Sequence, residues 1–149
     1  MEADRLPGAV LFACSRNALR SPMAEAMLKH LHGHRIFVDS VGVRAGILDP
    51  FGIEVMAEIG IDIAGHRAKT FDDLEGTAFD LIVSLTPEAQ HRAVELTRSA
   101  AVDIEYWPTL DPSIIEGNRA VRLDGYRGIR DMLWKRICER FPNAPGIAT

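Results

Sequence analysis

The sequence predicts an α/β fold, a single domain with a four-stranded parallel sheet and helices on both faces. Apolar segments of strand length alternate along the chain with segments whose apolar residues recur at helical spacing. The first apolar segment is uncharged throughout, as in a strand buried on both faces of a parallel sheet. The 149 residues suffice for one domain, which we place at 1–149, with a core of about 8–141 and short tails at 1–7 and 142–149.

The first strand is predicted at residues 9–13, and a helix is predicted soon after it. Ser21 is a suitable N-cap, and Pro22 suits the first helical position. The apolar face of this helix would consist of Ala24, Met27, Leu28 and Leu31.

The remaining elements follow in alternation. Asp49-Pro50 and Thr86-Pro87 each place a polar N-cap before proline and predict the start of a helix, and Gly60 ends the first of these helices. The other predicted elements are a strand at 36–38 followed by a turn at 39–42, a buried strand at 79–85, an alternating edge strand at 102–107 and a last helix at about 118–141.

The segment from Cys14 to Ser21 joins the first strand to the first helix and carries the chemistry of the chain. The first turn of a helix has unpaired amides and a positive dipole end, so a loop that leads into it can wrap an anion. Arg20 adds a planar cation suited to phosphate oxygens. This positive environment favours the thiolate form of Cys14, with Ser21 placed to hydrogen-bond the sulfur. A thiolate beside a bound phosphoryl group is a nucleophile aimed at phosphorus.

The sequences VLFAC at 10–14 and RSPMAE at 20–25 resemble the signature of low-molecular-weight protein tyrosine phosphatases, and the resemblance runs from about residue 10 to 141. It implies a cysteine-dependent phosphatase that acts through a cysteinyl-phosphate intermediate on a phosphorylated protein or a small phosphomonoester, without metal or cofactor. Cys14 would be the nucleophile, Arg20 would hold the phosphoryl oxygens, and Ser21 would stabilise the leaving thiolate. The residues expected to bind the phosphoryl group in this phosphate-binding loop are Ser15, Arg16, Asn17, Ala18, Leu19 and Ser21.

The same resemblance implies a support for the loop. Asn17 would brace it, Ser40 would hydrogen-bond Asn17, and His66 would lie close to both. We interpret His66 as structural support and not as an acid or base.

Asp111 is the candidate general acid. It follows the fourth predicted strand and precedes Pro112, which matches the acid loop of the family and keeps Asp111 extended. In parallel sheets, loops after strand carboxyl ends meet at one rim, so Asp111 and Cys14 are expected to meet there. A carboxylic acid on the leaving oxygen contributes about 10²–10⁴-fold, and Asp111 would then activate water in the second step.

Three departures from the family pattern bear on function. Arg16 stands where relatives commonly carry glycine, which would strain the chain if that position needs a positive φ. Leu19 stands where many relatives carry a second cysteine, so Cys14 has no partner within the loop. The aromatic side chains that flank the substrate in relatives are absent from 43–45 and 113–114, so the aromatic wall is expected to be weak.

The composition excludes several classes of function. A net charge of −4 gives no support to binding of nucleic acid or of anionic membranes, and no apolar run approaches a membrane span. The polar N-terminus does not resemble a secretory signal, and two cysteines argue against a disulfide framework, so we expect a cytoplasmic protein. His30, His32 and His34 lack a nearby cysteine or carboxylate and are not interpreted as a metal site. Cys138, in the last helix, is expected to be buried in the core.

Two alternatives remain open at this stage. Arsenate reductase chemistry on the same fold relays oxidation through further cysteines after the third strand. Residues 84–97 contain none, so such a reductase would need a small thiol. The chain could otherwise be an oxyanion-binding module without turnover. A nucleotide-binding site is not indicated, since neither G-x4-G-K-[ST] nor G-x-G-x-x-G occurs.

Overall fold

The computed structural model describes residues 6–74, 78–98 and 100–142. These form four parallel strands in the order β2-β1-β3-β4, namely β1 (Ala9–Cys14), β2 (Phe37–Gly42), β3 (Leu81–Ser84) and β4 (Asp103–Tyr106). The α-helices are α1 (Arg20–His32), α2 (Pro50–Ala57), α3 (Pro87–Leu96) and α4 (Arg119–Arg140). The predicted α/β class and four-stranded parallel sheet are therefore confirmed. The outermost residues of the predicted tails, 1–5 and 143–149, lie outside the described part.

The sheet separates two cores because alternate residues of β1 point to opposite faces. Phe12 and Cys14 belong to the larger core, which packs against α1, α2 and α4. Leu11 and Ala13 belong to the smaller core on the α3 side, where Ala89 is buried. Helices thus cover both faces, as the apolar β1 sequence requires.

Two predicted helix starts are confirmed. The Asp49 carboxylate accepts a hydrogen bond from the Phe51 amide, and Thr86 Oγ1 accepts one from the Ala89 amide. A third was wrong, because α1 begins at Arg20 after Leu19 and no side chain caps it. The Ser21 hydroxyl is instead directed toward Cys14.

Three other local predictions need correction. Residues 39–42, expected to be a turn, continue β2, because Asp39–Gly42 pair with β1 up to Cys14. Two short 3₁₀ helices, Phe71–Asp73 and Pro112–Ile114, were not predicted. Cys138 is partly exposed and not fully buried. No helix in the described ranges is long and apolar enough to cross a membrane.

Candidate active site

The carboxyl ends of the strands carry the predicted site residues. Cys14 ends β1, and Asp111 follows β4 as the N-cap of the 3₁₀ helix Pro112–Ile114. A cavity of about 470 Å³ lies at this edge of the sheet. Of the predicted residues, it is lined by Cys14, Arg16, Ala18, Leu19, Arg20 and Asp111.

The carbonyls of the phosphate-binding loop are bound by the segment after β2. The amides of Val43, Arg44, Gly46 and Asp49 donate to the carbonyls of Cys14, Ser15, Arg16 and Ala18 over 2.7–3.1 Å. Within the described part of the chain, several loop amides have no protein acceptor, namely those of Ser15, Arg16, Ala18, Leu19 and Arg20. A loop with bound carbonyls and free amides is suited to bind an oxyanion.

The Cys14 sulfur lies among hydrogen-bond donors in a buried position. Ser21 Oγ is 2.9 Å from Cys14 Sγ, and the Asn17 amide donates to Sγ over 3.3 Å. The Ser21 hydroxyl is also 3.3 Å from the Val41 carbonyl, so its proton can point to the sulfur or to that carbonyl. The predicted contact between Ser21 and the sulfur is therefore present.

Asn17 braces the loop from behind with its whole side-chain amide. Its Nδ2 donates to Ser21 Oγ and Ser40 Oγ over 2.8 and 3.0 Å. Its Oδ1 accepts from the Lys69 amide at 3.0 Å and from His66 Nε2 at 2.9 Å. Asn17 also adopts φ 51°, a left-handed conformation that asparagine tolerates better than most residues. The contacts expected from the family resemblance are present.

His66 is the neutral donor in this network. Burial lowers the pKa of His66 and outweighs the opposing charge of Glu25, which lies 3.8 Å from Nδ1. Nε2 must carry the proton, since Asn17 Oδ1 already accepts from a backbone amide. This geometry fits the structural role predicted for His66.

Arg16 is not strained. Among the described residues, Asn17 is the only one other than glycine with positive φ, so Arg16 occupies ordinary backbone space. Its side chain is exposed at the cavity. Glycine is required at another position beside the loop, Gly42, because a Cβ atom there would lie only 2.6 Å from the Asn17 backbone nitrogen.

Arg20 links the loop to the segment that carries Asp111. Arg20 Nη1 donates to the Thr109 carbonyl over 2.9 Å. Asp111 Oδ1 accepts from the Ser113 amide at 2.9 Å. Burial raises the pKa of Asp111, but the hydrogen bonds from Ser113 and the charges of Arg20 and Arg16 outweigh it and hold that pKa below its ordinary value.

The cavity has aromatic walls that sequence reasoning missed. The loops at 43–45 and 113–114 supply no aromatic side chain, as predicted, but Phe51 of α2 and Tyr126 of α4 line the cavity with ring centroids 5.3 Å apart. The Tyr126 hydroxyl donates to Asp49 Oδ2 over 2.6 Å. Burial and Asp49 raise the pKa of Tyr126 far above its ordinary value, so it remains a neutral donor.

We expect Asn17→Ala to lower the free energy of unfolding by about 2–4 kcal/mol and aryl phosphate turnover by at least about tenfold. The change removes the hydrogen bonds of Asn17 to Ser21, Ser40 and His66, and it puts alanine in a left-handed conformation. Urea unfolding and steady-state kinetics measure both effects. The control is Asn118→Ala, which removes only the α4 N-cap and should cost about 1 kcal/mol with turnover kept. Equal losses in the two variants would contradict the bracing role.

Mild peroxide should oxidise Cys14 to sulfinic acid without forming a Cys14–Cys138 disulfide. Cys138 lies roughly 18 Å along the α4 axis from Tyr126, whose side chain lines the cavity, at about 1.5 Å per residue. Disulfides need Cα atoms within about 7 Å. Mass spectrometry of the peroxide-treated protein measures the product, and a Cys14–Cys138 bridge would contradict the prediction.

Comparisons with known proteins support the resemblance. The family model for low molecular weight phosphotyrosine protein phosphatase matches residues 9–141. The arsenate reductase of Shouchella clausii is 34% identical over 129 residues, which cover 86% of this chain and 91% of that protein. The glutaredoxin arsenate reductase of Synechocystis is 37% identical, but its match covers only 51% of this chain and 58% of the relative. The structure of the low molecular weight protein tyrosine phosphatase from T. tengcongensis superposes with a TM-score of 0.71 at 28% identity, covering 89% of this chain and 95% of that one. The family model spans the sheet and all four described helices, so the chain belongs to the low molecular weight phosphotyrosine protein phosphatase family.

Proposed function

We propose that the protein is a cysteine-dependent phosphatase that hydrolyses aryl phosphomonoesters, with phosphotyrosine as the substrate type. One observation carries the proposal. A buried sulfur, a set of free loop amides, a guanidinium and a carboxyl group converge on one cavity, through Cys14, Arg20 and Asp111. Each of these groups has a defined task in transferring a phosphoryl group to sulfur.

In the first step, the Cys14 thiolate attacks phosphorus while the loop amides and Arg20 bind the phosphoryl oxygens. The bond from phosphorus to the ester oxygen breaks, and Asp111 gives its proton to that oxygen. The products are a cysteinyl phosphate and the free alcohol or phenol.

In the second step, Asp111 takes a proton from water, and the water oxygen attacks phosphorus. The sulfur–phosphorus bond breaks, and the electron pair returns to sulfur. Ser21 and the Asn17 amide stabilise the thiolate that leaves.

Thiol-dependent arsenate reduction is a second candidate, because the curated relatives named above are arsenate reductases. Arsenate has the shape and charge of phosphate and suits the same loop. Cys14 would displace an arsenate oxygen as water, and a small thiol would then attack the sulfur of Cys14 and leave the electron pair on arsenic as arsenite. A second thiol would release Cys14 from the mixed disulfide. The chain has only two cysteines, so it lacks an internal relay.

Parallel assays of the reduced protein in the presence of a chelator separate the two functions. The proposal expects phosphate release from phosphotyrosine and from 4-nitrophenyl phosphate, with little arsenite formed from arsenate and glutathione. Arsenite formation without ester hydrolysis would favour the reductase. Thermal protection by phosphate without either activity would favour an oxyanion-binding module.

A further inference from the structure

Outside the phosphate-binding loop, the cavity contains a guanidinium group that the proposed mechanism does not use. Arg122 of α4 lines the cavity and is half-buried. Its Cζ lies 4.8 Å from the centroid of the Phe51 ring, so the aromatic face holds the group in place. Among the described residues, no acceptor bonds its N–H groups and no carboxylate pairs with it. Arginine has five such donors, and stacking on a ring leaves them available.

The position of Arg122 is unfavourable for the helix itself. It is the fourth residue of α4, near the end of the helix where the dipole is positive, and the first turn contains no acidic residue. Arg119, one turn earlier, is paired with Glu54. A cation that breaks a local rule while it faces a ligand cavity points to a role in binding.

The other charged groups of the cavity have partners or tasks. Asp49 accepts hydrogen bonds from the Tyr126 hydroxyl and from the Phe51 amide. Arg20 and Asp111 serve the phosphoryl group and the leaving oxygen. Arg16 belongs to the phosphate-binding loop itself and lies close enough to Asp111 to lower its pKa. Arg122 comes from another wall of the cavity, where the leaving group of a substrate would lie.

We infer that Arg122 and the ring of Phe51 form a subsite for a carboxylate carried by the leaving group of the substrate. The preferred substrate is therefore an aryl phosphate with a second, anionic group beyond the ring. This inference rests on the proposed phosphatase function. It concerns selection among phosphomonoesters and not the phosphoryl transfer itself.

The test compares carboxyphenyl phosphates with the matching carbamoylphenyl phosphates, in both the 3- and 4-substituted forms. The measured quantity is the ratio of kcat/KM for the carboxylate to that for the amide. Differences in intrinsic reactivity cancel when this ratio is compared between variants. We expect Arg122→Gln to lower the ratio about three- to fivefold for at least one ring position, with the loss reduced at high salt.

Two variants serve as controls. Arg119→Gln removes the same charge from the same end of α4, together with the pair with Glu54 and a longer contact of 5.9 Å between its Cζ and the Phe51 ring centroid. Arg119 is not among the residues that line the cavity, so this variant should keep the wild-type ratio. Arg122→Lys retains a positive charge and should keep part of the preference. An unchanged ratio in Arg122→Gln, or an equal fall in Arg119→Gln, would overturn the inference.

Failure of the subsite is distinguishable from failure of the proposed function. If the wild type hydrolyses both substrates and Arg122→Gln leaves the ratio of kcat/KM unchanged, the subsite is overturned and the phosphatase proposal stands. If the wild type hydrolyses neither substrate, the phosphatase proposal fails, and calorimetric binding of the same compounds to Cys14→Ser decides the subsite. The subsite is supported if Cys14→Ser binds the carboxylate compound more tightly than the amide and if adding Arg122→Gln abolishes that difference. Equal affinities for the two compounds, or no binding of either, would overturn it.

Discussion

Replacing Cys14 by serine is expected to lower kcat/KM for 4-nitrophenyl phosphate by at least about 10⁴-fold. In the proposed mechanism the sulfur attacks phosphorus, and a serine hydroxyl is a much weaker nucleophile near neutral pH. The loop amides and Arg20 remain in place, so the variant should still bind phosphate. Steady-state kinetics measure the loss, and the thermal shift with added phosphate measures the binding that remains.

The chain offers a matched control for this experiment. Cys138 is the other free cysteine and lies in the last turns of α4, so Cys138→Ser should keep wild-type turnover. Iodoacetate should alkylate Cys14 rapidly near neutral pH, and vanadate or phosphate should slow that reaction. A Cys14→Ser variant with turnover within tenfold of the wild type would contradict the nucleophilic role. Alkylation that proceeds at an ordinary rate and ignores vanadate would contradict the anionic sulfur.

Local patterns in the sequence were sufficient to predict most of the fold. The uncharged run before Cys14 predicts a strand that is buried on both faces. The strand found there, β1, is buried throughout and pairs with both β2 and β3. Asp49-Pro50 and Thr86-Pro87 predict helix starts because both the cap and the fixed φ of proline act within a few residues. The fold class follows from the order of such elements.

The cavity walls depend on contacts between residues far apart in sequence, which local patterns do not contain. Phe51 and Tyr126 fit the apolar spacing of their helices, and this spacing predicts only that they contact the core. In the structure both also line the cavity. From the sequence alone, Arg122 would be interpreted as a solvated surface charge, because its contact with Phe51 arises only from the packing of α4 against α2. Gly42 has no local turn signal, and its need for glycine arises only because Asn17 and Arg16 pass beside it.

Ser21 matches a local sequence rule for helix capping but serves another purpose in the structure. Its position before proline predicts an N-cap, but the helix starts two residues earlier, with Leu19 as the N-cap, and Ser21 is fully buried. Its hydroxyl oxygen accepts a hydrogen bond from Asn17 Nδ2 and lies 2.9 Å from the Cys14 sulfur. Exceptions to local rules are expected where a residue serves a site.

Replacing Asp111 by asparagine is expected to slow hydrolysis in proportion to how poor the leaving group is. For phenyl phosphate, the loss in kcat/KM should be about 10²–10³-fold, because the phenolate oxygen needs a proton as its bond to phosphorus breaks. For 4-nitrophenyl phosphate, whose leaving group is a weaker base, the loss should be about tenfold or less. The control is Asp103→Asn, an exposed position at the start of β4, which should change neither rate. Equal losses for both substrates would contradict the role of general acid.

The pH dependence of Asp111 provides an independent test of the same role. Because its pKa in the free protein lies below the ordinary value, Asp111 is ionised at neutral pH before substrate binds. A bound phosphoryl dianion offsets the charges of Arg20 and Arg16 and repels the carboxylate, so the pKa of Asp111 rises in the complex. The acid form then decreases as pH increases through that raised pKa, and the single-turnover rate for phenyl phosphate should fall over the same interval. The asparagine of Asp111→Asn has no carboxyl proton to lose in this pH interval, so the fall in rate should be absent from the pH profile of the variant. A fall that persists in the variant would show that another group causes it.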